Sequence, residues 1–349
     1  MNFGCTTGSG CIYISLLYKF LLGFALFIIS NLSVKKFISI GYKFQIIDAP
    51  NNRSSHTVPT VRGGGVVIAL FSELVIVTLY CLQYLNYQIM LALSCAFVLA
   101  IVGFIDDLFN LPIKFRLPIQ FIASLIAVAL VVPINFHSIT SMISFIILVF
   151  SLVWSTNLFN FMDGTDGLAA SEAIFVLAIG GLMLFLLADN SSFGFCLLLI
   201  SSIIAGFLWF NLPPAKIFMG DVGSVFLGFL IGISAIISHF VFGVSFVFWL
   251  IIYSAFCFDA TITLVRRFIS GERWYLPHRS HAYQRLQNIG WKHKDILYAL
   301  FLLNVFLLGV GLIAYYYDML FIAVELVFIL LSIIYLFIEL SEKKYEKSL

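Results

Sequence analysis

Five aspartates in this sequence could act together: Asp106 and Asp107 in "GFIDDLFNLP", Asp163 and Asp166 in "NFMDGTDG", and Asp221 in "FMGDVGS". Carboxylates gathered at a membrane boundary repel one another and resist desolvation, and a divalent cation relieves both problems. Oxygen-only donors suit Mg2+, with Mn2+ as an alternative, and the cysteines and histidines make no zinc-type cluster. Mg2+ usually takes one or two carboxylates together with substrate phosphates. Arg53, Arg62, Lys216 and Arg279 could hold the remaining phosphate oxygens. The glycines of "RGGG", "MDGTDG" and "MGDVGS" let backbone approach a ligand closely. The chemistry expected of these residues is metal-assisted handling of phosphate.

Each cluster also has a plainer reading. A lone Asp or Arg in a loop is usually a solvated or helix-end charge. Asp106–Asp107 could simply cap a span, and "MDGTDG" could be a glycine-rich turn. Glu73 reads as a buried hydrogen-bonding residue, Glu172 as a helix-start residue, and the Phe and Cys stripes as packing. The case for a site rests on the clusters being brought together, so it depends on the elements that position them.

Those elements are membrane spans. The chain has 349 residues, of which 62% are hydrophobic and 10% charged, with 38 Phe and a mean hydropathy of +1.09. Apolar runs of about 20 residues, long enough to cross a bilayer, recur from end to end. Eleven are expected, at 11–33, 64–85, 88–105, 118–134, 139–160, 171–188, 193–210, 222–239, 241–265, 295–317 and 319–340. The fold class is therefore all-α and polytopic, with the whole of 1–349 as a single transmembrane domain. The first run reads as a retained span, because Lys19 lies inside it and Lys35 and Lys36 follow with no small-residue cleavage pattern. The eighth is interrupted by Gly223, Gly228 and Gly232, and the ninth ends in a polar stretch from Asp259 to Thr263.

Charge orients the spans. If the connection after the first span is cytoplasmic, the inside loops are 34–63, 106–117, 161–170, 211–221, 266–294 and the tail after 340. They hold 18 of the 19 Lys and Arg; the other is Lys19, inside the first span, and the outside loops hold none. Basic residues favour the cytoplasmic side, so the N-terminus is expected outside and the C-terminus inside. All the polar clusters then face the cytoplasm, as does His278, Arg279 and His281 in the fifth inside loop.

Two other function classes fit parts of this pattern. An intramembrane prenyltransferase also binds a Mg-diphosphate through Asp-rich motifs, but the "DG" pairs would break a helical Asp-rich face. A cation-coupled transporter would need ionisable residues near mid-membrane, and only Glu73 and Glu325 lie deep.

The ordered set "DAPNNRSSHTVPTVRGGG" (48–65), "GFIDDLFNLP" (103–112), "NLFNFMDGTDGLA" (157–169), "FNLPPAKIFMGDVGS" (210–224) and "PHRSHAYQRL" (277–286) resembles the polyprenyl-phosphate N-acetylhexosamine-1-phosphate transferases, of the glycosyltransferase family 4 type. The opening "RSSH…RGGG" resembles most the branch that initiates O-antigen and other surface polysaccharides. The resemblance implies transfer of N-acetylhexosamine-1-phosphate from a UDP-sugar to undecaprenyl phosphate, releasing UMP, at the cytoplasmic face of a bacterial inner membrane. It implies catalytic roles for Asp106, Asp107, Asp163 and Asp166, and Mg2+ ligation by Asp221 with Asp107. Asn160, Asn211, Phe218, His278, Arg279 and His281 would contact nucleotide and sugar, and Arg53, His56 and Arg62 the lipid phosphate or diphosphate. A homodimer is compatible with this reading, and no nucleic-acid partner is expected. The fifth inside loop departs from the family's His-x-His-His pattern, with Ser280 where a middle His is usual. This favours a 6-deoxy-N-acetylhexosamine donor with some tolerance for UDP-GlcNAc.

Overall fold

A chain this apolar must satisfy its backbone polar groups internally, and a helix does so within one segment. The computed structural model describes residues 9–48, 58–135, 137–187, 191–272 and 278–347, so Arg53 and His56 lie outside the described residues. Among these residues the elements run α1 (Ser9–Lys43), β1 (Ile47–Asp48), β2 (Thr60–Val61), α2 (Gly65–Cys81), α3 (Tyr87–Phe109), α4 (Ile113–Val131), α5 (Ile139–Met162), α6 (Leu168–Leu187) and α7 (Ser191–Asn211). They continue with α8 (Asp221–Phe242), α9 (Phe246–Ile252), α10 (Ser254–Ile269), α11 (Ala282–Asn288), α12 (His293–Tyr316) and α13 (Leu320–Glu346).

The protein is a polytopic, nearly all-helical membrane protein. Among the described residues, nine helices are long and apolar enough to cross a membrane. The expected ninth span is broken: α9 and α10 meet at a 76° bend and together make a tenth. The second expected span, α2, is apolar but has only 17 residues. The glycines of the eighth span do not break it, since α8 runs unbroken for 22 residues. Two helices outrun their apolar segments, α1 to Lys43 and α13 to Glu346. Backbone hydrogen bonding continues through charged residues, whereas a hydropathy boundary stops at the first of them.

The core is built around α8, which is buried almost continuously from Val222 to Ser238 and packs against α3 and α5. Membrane helices gain little from hydrophobic exclusion and associate through close packing, which favours small residues at the contact. Gly228 lies against α5, where Ser155 Oγ donates to its carbonyl at 2.8 Å. At Gly103 of α3, an added Cβ would come within 2.6 Å of the Asp221 carbonyl oxygen. That close approach sets the end of α3 beside the start of α8.

Candidate active site

Backbone pairing places the first component. β1 and β2 form a hairpin, and Val61 also makes a parallel bridge to Ile217. Phe218 N donates to Val61 O at 2.8 Å, Gly64 N to Phe218 O at 2.9 Å and Gly65 N to Met219 O at 2.9 Å. The segment before α2 is thus stitched to the segment before α8, which puts Arg62 beside Asp221.

Asp106 and Asp107 lie in the last turn of α3, which ends at Asn110 in a left-handed conformation. The Asp107 side chain is almost wholly buried and crosses to α8, where it accepts from Asp221 N at 2.9 Å and Val222 N at 3.2 Å. A helix N-terminus presents unpaired N–H groups and partial positive charge, so a carboxylate there is doubly favoured. Gly220 makes this contact feasible. Its φ is 75°, and a Cβ there would collide with Asp107 Oδ2.

Two guanidinium groups bind the carboxylates into one node. Arg62 Nη2 lies 2.7 Å from Asp107 Oδ1 and 3.0 Å from Asp221 Oδ1. Arg116, in the first turns of α4, donates through Nη1 to Asp106 Oδ2 and, at 2.9 Å, to Asp221 Oδ2. Asp106 also accepts from Leu111 N at 2.6 Å. Burial opposes the Arg62 charge, but Asp107, Asp221, Asp48 and Asp163 outweigh it and hold its pKa above the ordinary value.

Asp163 terminates α5 and faces this node. Among the described residues its carboxylate makes no hydrogen bond or ion pair. Burial, then the charges of Asp221 and Asp107, push its pKa well up, with Arg62 opposing. Asn160, one turn earlier on α5, donates to Ser224 Oγ at 2.8 Å and so ties α5 to the first turn of α8.

The remaining expected residues are placed differently. Asp166 accepts from Ala215 N at 3.1 Å and lies 3.2 Å from His293 Nδ1, so it joins the α5–α6 turn to the α7–α8 segment and α12. Asn211 is buried with both ends of its amide engaged, donating to Ile217 O at 2.8 Å and accepting from Gly167 N at 3.0 Å. Phe218 lies in the stitched segment before α8, partly exposed. Glu73 accepts from Ser94 as expected, whereas Glu172 lies inside α6, fully buried, and accepts from Asn304 of α12.

The loop of His278, Arg279 and His281 leads into α11. Asp259 of α10 holds it by accepting from Ala282 N at 2.8 Å and Tyr283 N at 3.4 Å, and Thr263 donates to the same carboxylate at 3.1 Å. His281 is buried 3.6 Å from Asp259, its ring stacked between Phe161 and Tyr283. Tyr283 OH donates to Phe161 O at 3.1 Å and Gln287 Nε2 to Thr165 Oγ1 at 2.6 Å, so α11 is fastened to the turn that carries Asp163. Burial drives the Tyr283 phenol pKa upward. His278 Nδ1 lies 3.0 Å from Ser280 Oγ, and its pKa is lowered to about 4 by burial, then by His281, Arg267 and Arg266.

Among the described residues, no three of His, Cys, Asp or Glu gather into a metal-binding group. The donor chemistry nevertheless fits a hard divalent cation. Asp163 and Asp221 offer oxygen alone, and the Asp163 carboxylate, beside other carboxylates, has no partner among the described residues. Asp107 and Asp221, the expected ligand pair, both have their oxygens engaged, Asp107 by the amides of α8 and Asp221 by Arg62 and Arg116, so each would exchange a partner to take the cation.

Comparison with known proteins gives the family of the chain. Residues 89–239 match the model of Glycosyl transferase family 4. A phospho-N-acetylmuramoyl-pentapeptide-transferase from Wolbachia sp. subsp. Brugia malayi (strain TRS) is 33% identical over 241 residues, covering 63% of this chain and 72% of that protein. The chain belongs to glycosyl transferase family 4. The chain is thus a member of a family of phosphosugar transferases. It is also similar to a probable undecaprenyl-phosphate N-acetylglucosaminyl 1-phosphate transferase from Bacillus subtilis (strain 168), 28% identical over 324 residues and 88% of each chain. A second phospho-N-acetylmuramoyl-pentapeptide-transferase, from Wolbachia pipientis wMel, is 34% identical over 195 residues, 50% of this chain and 59% of that protein. The family match spans Asp106, Asp107, Asn160, Asp163, Asp166, Asn211, Phe218 and Asp221. Arg62 and the α11 loop lie beyond it, and hydrogen bonds attach them to the matched core.

Sequence reasoning missed Arg116 and Asp259. In the sequence Arg116 reads only as an inside-loop charge, and its nearness to Asp106 and Asp107 is the one signal that could have marked it. Asp259 reads only as part of the polar end of the ninth span.

Proposed function

We propose that the enzyme transfers N-acetylhexosamine-1-phosphate from a UDP-sugar to undecaprenyl phosphate, as the first membrane step of a surface polysaccharide such as O-antigen. The observation that carries this reading is the node in which Arg62 and Arg116 each bridge two of the carboxylates of Asp106, Asp107 and Asp221. Three carboxylates face two guanidinium groups, so the node keeps an excess negative charge suited to a cation, and its guanidinium groups can turn from carboxylate to phosphate oxygens. Its place at a cytoplasmic boundary follows from the division of basic residues, and fits a donor that arrives from the cytoplasm and an acceptor that arrives from the bilayer.

The acceptor is a phosphate monoester with a second pKa near 6, so at neutral pH it is mainly a dianion and already nucleophilic. One of its oxygens attacks the donor phosphorus that bears the sugar. The bond from that phosphorus to the UMP oxygen breaks, and UMP leaves with the electron pair. The enzyme must bring two anions together and stabilise charge on the transferred group. Arg62 and Arg116 supply fixed donors for this, and Asp106 and Asp107 hold those guanidinium groups in place. Asp163 and Asp221 would hold Mg2+, which when bound supplies charge neutralisation at the diphosphate. Phe218 and the α11 loop, with His278, Arg279 and His281, border the donor side. Arg53 and His56, which fall between β1 and β2 in the sequence, are assigned to the lipid phosphate or diphosphate.

Within the loop, Ser280 bonds His278 and Arg267 and so does not present a histidine to the sugar. This supports a 6-deoxy-N-acetylhexosamine donor with UDP-GlcNAc tolerated. The test is purified protein with undecaprenyl phosphate, Mg2+ and a panel of UDP-sugars, following UMP. UMP release that depends on the lipid is expected. Release of inorganic diphosphate in its place would overturn the reaction, and UDP-GlcNAc used far better than every 6-deoxy donor would overturn the donor preference.

A further inference from the structure

The C-terminal helix α13 runs past its apolar segment, and its last turns carry Glu339 and Glu342. These acids face Arg285 of α11. Arg285 is nearly fully buried, with Nη1 3.7 Å from Glu339 Oε2 and Nε 3.5 Å from Glu342 Oε2. Its guanidinium centre lies 5.4 Å from the centroid of the Tyr335 ring, also on α13. Asn288, at the other end of α11, donates to Glu342 at 3.0 Å. A guanidinium this buried is costly unless its charge is matched, and here α13 supplies the matching charge from one side.

The same guanidinium reaches back into the loop. Arg285 Nε donates to the Ser280 carbonyl at 3.1 Å, and Ser280 Oγ contacts His278 Nδ1 at 3.0 Å and Arg267 Nη1 at 3.3 Å. A continuous set of contacts therefore runs from Glu339 and Glu342, through Arg285, to the turn of His278, Arg279 and Ser280. On its opposite side α11 is fastened to Phe161 and Thr165, which flank Asp163.

We infer that Arg285 is a positioning residue for donor binding, and that α13 sets the geometry of the donor loop by holding Arg285 through Glu339 and Glu342. Arg285 touches no reacting atom. It fixes the backbone at Ser280, and with it the places of His278 and Arg279. The inference rests on the reading that this loop contacts the UDP-sugar.

The experiment uses the full chain in detergent or reconstituted membranes, with four forms: wild type, Arg285→Gln, the double variant Glu339→Gln/Glu342→Gln, and the triple combination. The first measurement is amide hydrogen exchange over residues 278–288, which requires no activity. Faster exchange there in each variant, with α3 and α8 unchanged, is expected. Unchanged exchange overturns the link between α13 and the loop. The second measurement is steady-state kinetics varied separately in donor and acceptor. Losing a hydrogen bond to a charged group should raise the donor KM by roughly tenfold while the acceptor KM stays within about twofold. Because the acids act through Arg285, the triple variant should be no worse than Arg285→Gln alone. Equal rises in both KM values, an unchanged donor KM or additive losses overturn the inference. Arg285→Lys keeps the charge but loses the fork, and an intermediate donor KM separates positioning from misfolding. If wild type releases no UMP from any UDP-sugar, the proposed function fails, and hydrogen exchange still decides the structural link.

Discussion

The carboxylate of Asp107 caps the helix that begins at Asp221: amides of Asp221 and Val222 donate to its two oxygens at 2.9 and 3.2 Å. A residue at the end of one span thus orients the first turn of another. Asp221 is held there with one oxygen on Arg62 and the other on Arg116. Asp107→Ala should therefore cost about 1 kcal/mol for the cap and lower the thermal stability of the purified protein. Activity should fall by roughly a hundredfold, because a displacement of about 1 Å at a reacting site costs that much. Asp107→Asn keeps one acceptor and should lie between Ala and wild type in both measurements. Equal activity for Ala and wild type would show that the cap does not position Asp221.

Asp221 is the one carboxylate shared by both guanidinium groups. Asp221→Asn removes its charge while keeping its size, so the loss should fall mainly on turnover, by roughly 10²–10³-fold, with the donor KM less affected. Excess chelator should silence wild type, and added Mg2+ should restore it. Full activity in chelator would remove the cation from the proposed chemistry.

The sequence makes the acid half of the node readable and leaves the basic half obscure. Asp106, Asp107, Asp163 and Asp221 stand out because carboxylates are rare in apolar surroundings and glycines flank them. Arg116 does not, because the same charge is explained by the preference of basic residues for one side of the membrane. The stitching of Val61 to Ile217 and Phe218 is a non-local backbone pairing with no local sequence pattern. The break between α9 and α10 is hidden too, since both halves are apolar and the bend falls at Tyr253, with no proline beside it. Asp259 gains its meaning only from the loop that folds back onto it.

His278 gives the loop before α11 a pH dependence. Its pKa is about 4 in the folded protein against an ordinary 6.5, and the groups around it are His281, Arg267, Arg266 and Asp259. Between those values the unfolded chain binds more protons at this residue, so its contribution to stability rises with pH. That contribution is complete above about 6.5 and is lost as pH falls towards 4. The melting temperature of the purified, substrate-free protein should therefore drop on acidification through this window. His278→Gln should drop less steeply, and identical slopes would show that His278 is not protected in the folded loop.

The two aspartates of "MDGTDG" should separate in function. Asp163 faces the Arg62–Asp107–Asp221 node with a carboxylate that has no partner among the described residues, whereas Asp166 is occupied by Ala215 N and His293. Asn can still accept the Ala215 amide through its side-chain oxygen, so Asp166→Asn loses only the charged contact to His293. Its activity should stay within roughly tenfold of wild type, in line with the loss of one hydrogen bond to a charged group. Asp163→Asn removes an oxygen group that could become anionic on a bound cation, and should cost roughly 10²–10³-fold in turnover, the range seen when one group that stabilises transition-state charge is removed. The pair is compared by UMP release at saturating donor and acceptor, with expression and melting temperature as controls for folding. If Asp166→Asn proves as damaging as Asp163→Asn at unchanged stability, Asp166 acts on substrate directly and its bonds to Ala215 and His293 must open during turnover.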